Sequence, residues 1–266
     1  MSKRIIVMLV AVVLAAALVT GCGQPKIVIP EINSSSSVVD NGDSNVIATQ
    51  AVDNNIASSN SVSSISKTAP VNTGNNQVAD GLEINAIPYS DDYGNYVYLL
   101  VTNKTGKDID VKATVDFLGA DGKLVDYDDG YIDCVANGTT VCMDYFDCGD
   151  KQFANFEYTV TYEEINKDYY AAVDQNLTME VTPTEDKVIV SLTNNGKIPA
   201  KYVWFHAFFY NKGVLVDVEN SYCEDDDSEI KPGATVRGYD YFYSSVEGID
   251  SYDDVKVYFH GEGSVN

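Results

Sequence analysis

VYLLVTNKTGKDIDVKATVDFLGADGKLVD, residues 97–126, returns later in the same chain as VIVSLTNNGKIPAKYVWFHAFFYNKGVLVD, residues 188–217. At a constant offset, Thr102-Asn103 falls on Thr193-Asn194, Phe117 on Phe208, Gly122 on Gly213, and Leu124-Val125-Asp126 on Leu215-Val216-Asp217. Within the first block Val111, Ala113, Val115 and Phe117 alternate with Lys112, Thr114 and Asp116. Alternation of period two is the mark of a strand buried on one face, so the apolar set, with Val97, Leu99 and Val101, should face a core. In the second block Tyr202 to Phe209 is apolar at almost every position, which predicts a strand covered on both faces, by the linker, the first copy or a partner. A duplicated β unit is the organising feature of the chain.

Extending outward, LEINAIP at 82–88 and LTMEVTP at 177–183 open the two copies, and FEYTVTY at 156–162 and VKVYFH at 255–260 close them. Gly122 and Asn137-Gly138 supply turns in the first copy. Many short strands between such turns indicate antiparallel β-sandwiches, one over 81–162 and one over 177–266. Residues 163–176 join them, and EEINKDYYAAVDQ within that linker is expected to form a short helix.

The chain holds 19 Tyr, 9 Phe and 1 Trp, and the first of them is Tyr89. Without aromatics a segment cannot build a sizeable core, so the Ser- and Asn-rich stretch 22–80 is expected to be a disordered tether. Ahead of it, residues 1–21 have a basic start and an uncharged apolar run from Ile5 to Val19. That run is short for a membrane-spanning helix and suits a signal peptide.

Leu18-Val19-Thr20-Gly21-Cys22 resembles the lipobox of bacterial lipoproteins. The resemblance implies cleavage before Cys22, a diacylglyceryl group on its sulfur with a further acyl chain such as palmitate on its amine, and attachment to the outer face of the cytoplasmic membrane at the bacterial cell surface. The repeated pattern of strand, Asn-rich turn, strand ending in Phe, Gly turn and Gly-x-Thr-apolar strand resembles the FxLYD-type domain of secreted lipoproteins. Phe117, Asp121 and Gly122 carry it in the first copy, where Gly119 and Ala120 depart from the pattern; Phe208 and Gly213 carry it in the second. It implies two tandem immunoglobulin-like sandwiches and brings no catalytic residues with it.

A net charge of −23 repels nucleic acid and leaves cations, glycans, cell-wall polymers or proteins as partners. No nucleophile elbow, dinucleotide loop or zinc-protease motif occurs, so no cofactor is expected. Of the two histidines, His260 is out of phase with Val255, Val257 and Phe259 and should face solvent, whereas His206 aligns with Val115 and should point inward. Cys134 and Cys142 flank Asn137-Gly138, a spacing that admits a disulfide across a hairpin. Asp126, Asp128 and Asp129 open like a calcium loop, but Asn137 stands where its closing Glu would be, so solvated loops are expected there and at Asp144/Asp147/Asp150, Glu224–Asp227 and Asp250/Asp253/Asp254, with no metal site. Tyr239, Tyr241 and Tyr243 alternate and, with Trp204, are the candidate ligand-contacting aromatics. Three functions compete: a non-enzymatic binding or scaffolding module, a carbohydrate-binding lipoprotein, and a hydrolase using two facing carboxylates. The absence of catalytic motifs favours the first.

Overall fold

A computed structural model of the protein describes residues 70–149, 151–223, 228–244 and 246–265. The signal segment, Cys22 and most of the tether lie outside them. The first copy and its approach contain β1 (Val71–Asn72), β2 (Gln77–Val78), β3 (Leu82–Ser90), β4 (Asn95–Asn103), β5 (Ile109–Leu118), β6 (Leu124–Val135), β7 (Thr140–Cys142), β8 (Phe146–Asp147) and β9 (Asn155–Glu164). The second contains β10 (Tyr170–Ala172), β11 (Leu177–Pro183), β12 (Lys187–Asn194), β13 (Ala200–Asn211), β14 (Val214–Tyr222), β15 (Glu229–Ile230), β16 (Thr235–Tyr241) and β17 (Asp254–Ser264). Among the described residues there is no α-helix, and the fold is all-β.

The strands form four sheets. Sheet I runs β1-β9-β5-β6 with β2 also on β9, and sheet II runs β3-β4-β7 with β8 also on β4. Sheet III runs β10-β17-β13-β14 with β15 on β13, and sheet IV runs β11-β12-β16. The central strands β9-β5-β6 of sheet I recur as β17-β13-β14 in sheet III, and β3-β4-β7 of sheet II recur as β11-β12-β16 in sheet IV. The edge strands differ: β1 runs parallel to β9 and β10 antiparallel to β17. Every pairing is antiparallel except those of β1 and β2 with β9.

Each copy encloses its own core. Between sheets I and II lie Val97, Leu99, Val101, Ile109, Val111, Val115, Phe117 and Phe156, all fully buried. The predicted register of β4 and β5 is thus observed, with Lys112 exposed and Thr114 and Asp116 half-buried between the core positions. Between sheets III and IV lie Val188, Val190, Leu192, Ala200, Val203, Phe205, Ala207 and Phe209. Burying a side chain of this size contributes about 1.5–3 kcal/mol, so these rows are the main cohesive force.

The Thr-Asn pair of each block has a physical reason. Asn103 and Asn194 are wholly buried at the ends of β4 and β12. The Asn103 amide donates to the carbonyls of Lys107 (2.8 Å) and Val135 (3.0 Å), and the Asn194 amide to those of Ile198 (2.8 Å) and Ile230 (2.8 Å). Each side chain ties one sheet to the two connections of the other, and Asn saturates carbonyls that would otherwise be buried without partners. The following crossing turns use Gly138 (φ 83°) and Gly233 (φ 79°), whose amides both donate 2.7 Å bonds back to the same asparagines' carbonyls.

The two copies differ in one respect that decides the rest. In β13 Tyr202 has φ 49° and the pairing with β17 slips by one residue between Lys201 and Trp204. This β-bulge inserts one residue, and a one-residue slip sends every later side chain to the other face. Hence Val203, Phe205, Ala207 and Phe209 fill the core, and Phe209, not Phe208, is the counterpart of Phe117. Trp204, His206 and Phe208 turn to the outer face of sheet III. There Phe208 packs with Tyr89, Tyr98, Leu100 and Cys142 of the first copy in a third apolar cluster. The Tyr98 and Phe208 rings meet edge to face, 5.4 Å between centroids. The second apolar face of β13 is therefore covered by the first copy.

Other expectations are corrected. The linker forms no α-helix: β10 joins the edge of sheet III, and a 3-10 turn at Asp174–Asn176 follows. The end of the tether is held against β9, because the backbone amides of Val71, Thr73 and Ala79 donate to the carbonyls of Ala154, Phe156 and Val160. Cys134 and Cys142 are free buried thiols. Asn137-Gly138 turns the chain from sheet I to sheet II, not back along one sheet, so the two cysteines sit in opposite layers.

Candidate functional site

Where the copies meet, the outer face of sheet III grades from apolar to polar. Register pairs place Val218, Phe208 and Lys256 in one row, Asn220, His206 and Tyr258 in the next, and Tyr222, Trp204 and His260 in the third. The first row lies at the apolar junction. The other two open into a cleft of about 300 Å³ lined by Trp204, His206, Asn220, Tyr222 and Glu262 of the second copy, and by Tyr131, Ile132, Asp133 and Asp144 of the first.

His206 is 2 % exposed, and neither ring nitrogen has a hydrogen-bond partner. The nearest charged atom is Asp144 Oδ1, 3.6 Å from Nε2, an ion-pair distance too long for a hydrogen bond. A buried polar group left in this state costs about 1–3 kcal/mol, so the ring calls for an explanation beyond packing. It lines the cleft because of the Tyr202 bulge.

Three carboxylates line the same cleft, Asp133, Asp144 and Glu262. Burial pushes Asp133 above the ordinary carboxylate range, and the neighbouring Asp110 charge adds to the rise. Burial also raises Glu262, with His260 opposing and Asp133 and Asp110 reinforcing. Asp144 stands exposed at the rim, where local desolvation would raise it, but His206 beside it and the Tyr145 N–H on its Oδ1 hold it below the ordinary value. Among the described residues no Lys or Arg forms an ion pair with any of the three.

Behind the cleft the Trp204 ring stands edge-on to His260, 5.0 Å between centroids. His260 is fully buried, contrary to its expected solvent-facing position, because Asp174 of the turn after β10, Trp204 and the Asp133 backbone of the first copy close over it. Its Nδ1 lies 3.1 Å from Asp174 Oδ2, while Asp174 Oδ1 accepts the Gly261 N–H at 3.0 Å. The other carboxylate oxygen also accepts the Ala136 N–H of the first copy at 3.5 Å, so the linker aspartate fastens both copies.

Trp204 is thus at a site, but Tyr239, Tyr241 and Tyr243 are not part of it. They stand exposed on β16 and just beyond, along sheet IV and away from the lining of the cleft. Successive rings are 5.7 and 6.2 Å apart at interplanar angles of 86° and 49°, and the Lys187 ammonium sits 5.4 and 5.2 Å from the Tyr239 and Tyr241 centroids. The first acidic cluster lies on strand β6 and not in the expected loop: Asp126 is held by Lys151 at 2.6 Å, and Asp128 accepts the Asp129 and Asp147 amides. No group of three His, Cys, Asp or Glu side chains among the described residues is placed to hold a metal ion. Asp150 and Glu224–Asp227 lie outside the described residues. Sequence reasoning singled out none of Asp133, Asn220 and Glu262 and read Asp144 only as part of a solvated loop. Strands β6, β14 and β17 and the β7–β8 connection bring the four together from both copies.

No protein-family model and no curated relative matches the chain. Among solved structures it is similar to the transglutaminase of red sea bream, at 13% identity, covering 69% of this chain and 29% of that one with a TM-score of 0.23. The chain therefore spans less than a third of that protein, and a likeness this slight carries no argument about fold or activity.

Proposed function

We propose that the chain is a bacterial surface lipoprotein, anchored through Cys22 to the outer face of the cytoplasmic membrane, and that its two FxLYD-like, immunoglobulin-like sandwiches form a non-enzymatic binding module. The ligand site is the cleft between the copies. The observation that carries this reading is His206, a buried imidazole with no hydrogen-bond partner facing a cavity rimmed by Trp204, Tyr131 and Tyr222. Convergent polar groups in an aromatic-lined concavity between two packed units are the usual form of a ligand site. Among the described residues neither histidine hydrogen-bonds to a hydroxyl or thiol, which counts against nucleophilic catalysis. A thermal-shift screen of the full chain in detergent against charged, neutral and saccharide ligands tests the module. Hits that disappear on Asn220→Trp, which fills the cleft, support it; no hit in any class, or turnover of a ligand, removes it.

A second reading, a glycan-binding lipoprotein, is favoured by the exposed Tyr239–Tyr241–Tyr243 row. Its rings are crossed rather than coplanar and already carry Lys187, which makes a poor platform for a sugar face. Glycan-array binding that is lost on replacing these three tyrosines with Ala would favour that reading over the cleft.

A further inference from the structure

We propose that the cleft takes a small organic cation, a primary or quaternary ammonium or a guanidinium, held by Asp133, Asp144 and Glu262 against the rings of Trp204, Tyr131 and Tyr222. This rests on the cleft being the ligand site and adds the chemistry of the ligand. Histidine apart, every ionisable acid or base lining the cavity other than the tyrosine hydroxyls is a carboxylate. The nearest lysine to act on Asp133, Lys112, is engaged by Glu163 at 3.3 Å. Asp133 and Glu262 repel one another and Asp110, an effect that His260 opposes. No Lys or Arg among the described residues pairs with any of the three acids, so a positive ligand would supply charge that the cleft lacks.

The remaining lining selects among cations. A hydrated metal ion gains little from aromatic faces, whereas an alkylammonium or guanidinium is attracted to them and also buries its apolar part. The protein uses the same contact elsewhere, with Lys256 5.0 Å from the Tyr210 centroid. The His206 ring, with no hydrogen-bond partner at either nitrogen, adds a polar group that an N–H of a primary ammonium or guanidinium would meet. An anion is disfavoured by the field of the acids. A volume of about 300 Å³ is at the small end for ligand pockets and suits a short amine, not a polymer.

Trp204 is the single tryptophan of the chain, so its fluorescence reports the site directly. The full chain in detergent is titrated with tetramethylammonium, cadaverine and agmatine, with the neutral isosteres neopentyl alcohol and pentane-1,5-diol, with glutarate, and with N-acetylglucosamine. A lysine-containing peptide forms a parallel arm that separates free amines from protein side chains. The expected result is saturable change with the free cations, at least about tenfold tighter than with the neutral isosteres. The affinity should fall about tenfold or more in the Asp133→Asn, Glu262→Gln double variant, and should weaken with salt. Equal binding of the neutral isosteres or the sugar, tighter binding of the peptide than of any free amine, or salt-independent binding of cations overturns the proposal while leaving the cleft a ligand site. Silence of Trp204 and of the melting temperature towards every probe overturns both readings together.

Discussion

His260 Nδ1 stands 3.1 Å from Asp174 Oδ2 with both side chains shut away from solvent, and this pair closes the joint between the two copies. Burial by itself would lower the His260 pKa, but the Asp174 charge and hydrogen bond outweigh it and leave it raised above 6.5. The groups facing it are Asp174, Glu262 and the Asp133 backbone. A histidine whose folded pKa is raised stabilises the fold fully below its unfolded value and loses that contribution as pH climbs through the folded value. Glu219 adds to the same slope: burial first, then the charges of Asp217 and Asp240, push it to about 8 from 4.5. The folded state holds the extra proton in both cases, so urea stability should fall from about pH 5 to about pH 8. Glu219→Gln should flatten that fall and raise the melting temperature at the alkaline end. Asp174→Asn, which strands a buried imidazole, should cost about 3–5 kcal/mol where His260 is charged. A stability that rises with pH across this window would contradict the assignment.

Phe208 is fully buried although it belongs to neither sandwich core. Phe208→Ala should therefore cost about 3–5 kcal/mol, comparable to a core deletion. The loss is specific in kind: native-state hydrogen exchange should rise first in β4 and β13 as the copies separate. Tyr222→Ala, on the open side of the same face, should change stability by less than about 0.5 kcal/mol.

Asn103 and Asn194 make equivalent buried bonds, and each replacement by Ala leaves two carbonyls unpaired. Each variant should lose about 1–3 kcal/mol in chemical denaturation. The two losses should be similar, and a fully additive double variant would show that the copies use the motif independently.

Cys134, Cys142, Cys148 and Cys223 are buried thiols, and burial, followed by the Asp110 charge, pushes Cys134 up to about 12. None should react with a maleimide in the native protein, and all four should react on unfolding without a reductant. Mass spectrometry counts the adducts, and a Cys134–Cys142 bridge would remove two of them.

The anchor has its own test. A Cys22→Ser chain should lose detergent partitioning and acylation, because two or more acyl chains on one residue are what make attachment stable. Partitioning equal to the original chain would remove the lipoprotein reading.

Much of the first copy was legible in the sequence. The alternation around Val111 to Phe117, the Thr-Asn end of each second strand and the glycine turns all act locally, and local pattern reports them. The phase of β13 was not legible, because Tyr202 to Phe209 is apolar on both faces and a single extra residue leaves composition unchanged. His260 was placed in solvent because its cover comes from residues distant in sequence: Asp174 in the linker, Trp204 on β13 and the Asp133 backbone of the first copy. The strands at Val71–Asn72 and Gln77–Val78 escaped because backbone bonds hold them while their valines stay exposed. The cleft exists only once two copies have packed, so no single stretch could announce it.

The bulge at Tyr202 also sets how long such an array can grow. Identical units joined by a heterologous contact add on without end unless the ring closes or a terminus is capped. Here the outer face of sheet III is adhesive because its central strand is out of phase, and the matching Tyr98 and Leu100 on sheet II already occupy it. At one end of the stack, sheet I keeps the original phase and shows Lys112 paired to Glu163. At the other, sheet IV carries Ile189 and Ser191 where sheet II has Tyr98 and Leu100, beneath exposed Arg237 and Tyr239. One inserted residue is what gives sheet III the apolar outer face that packs against the first copy.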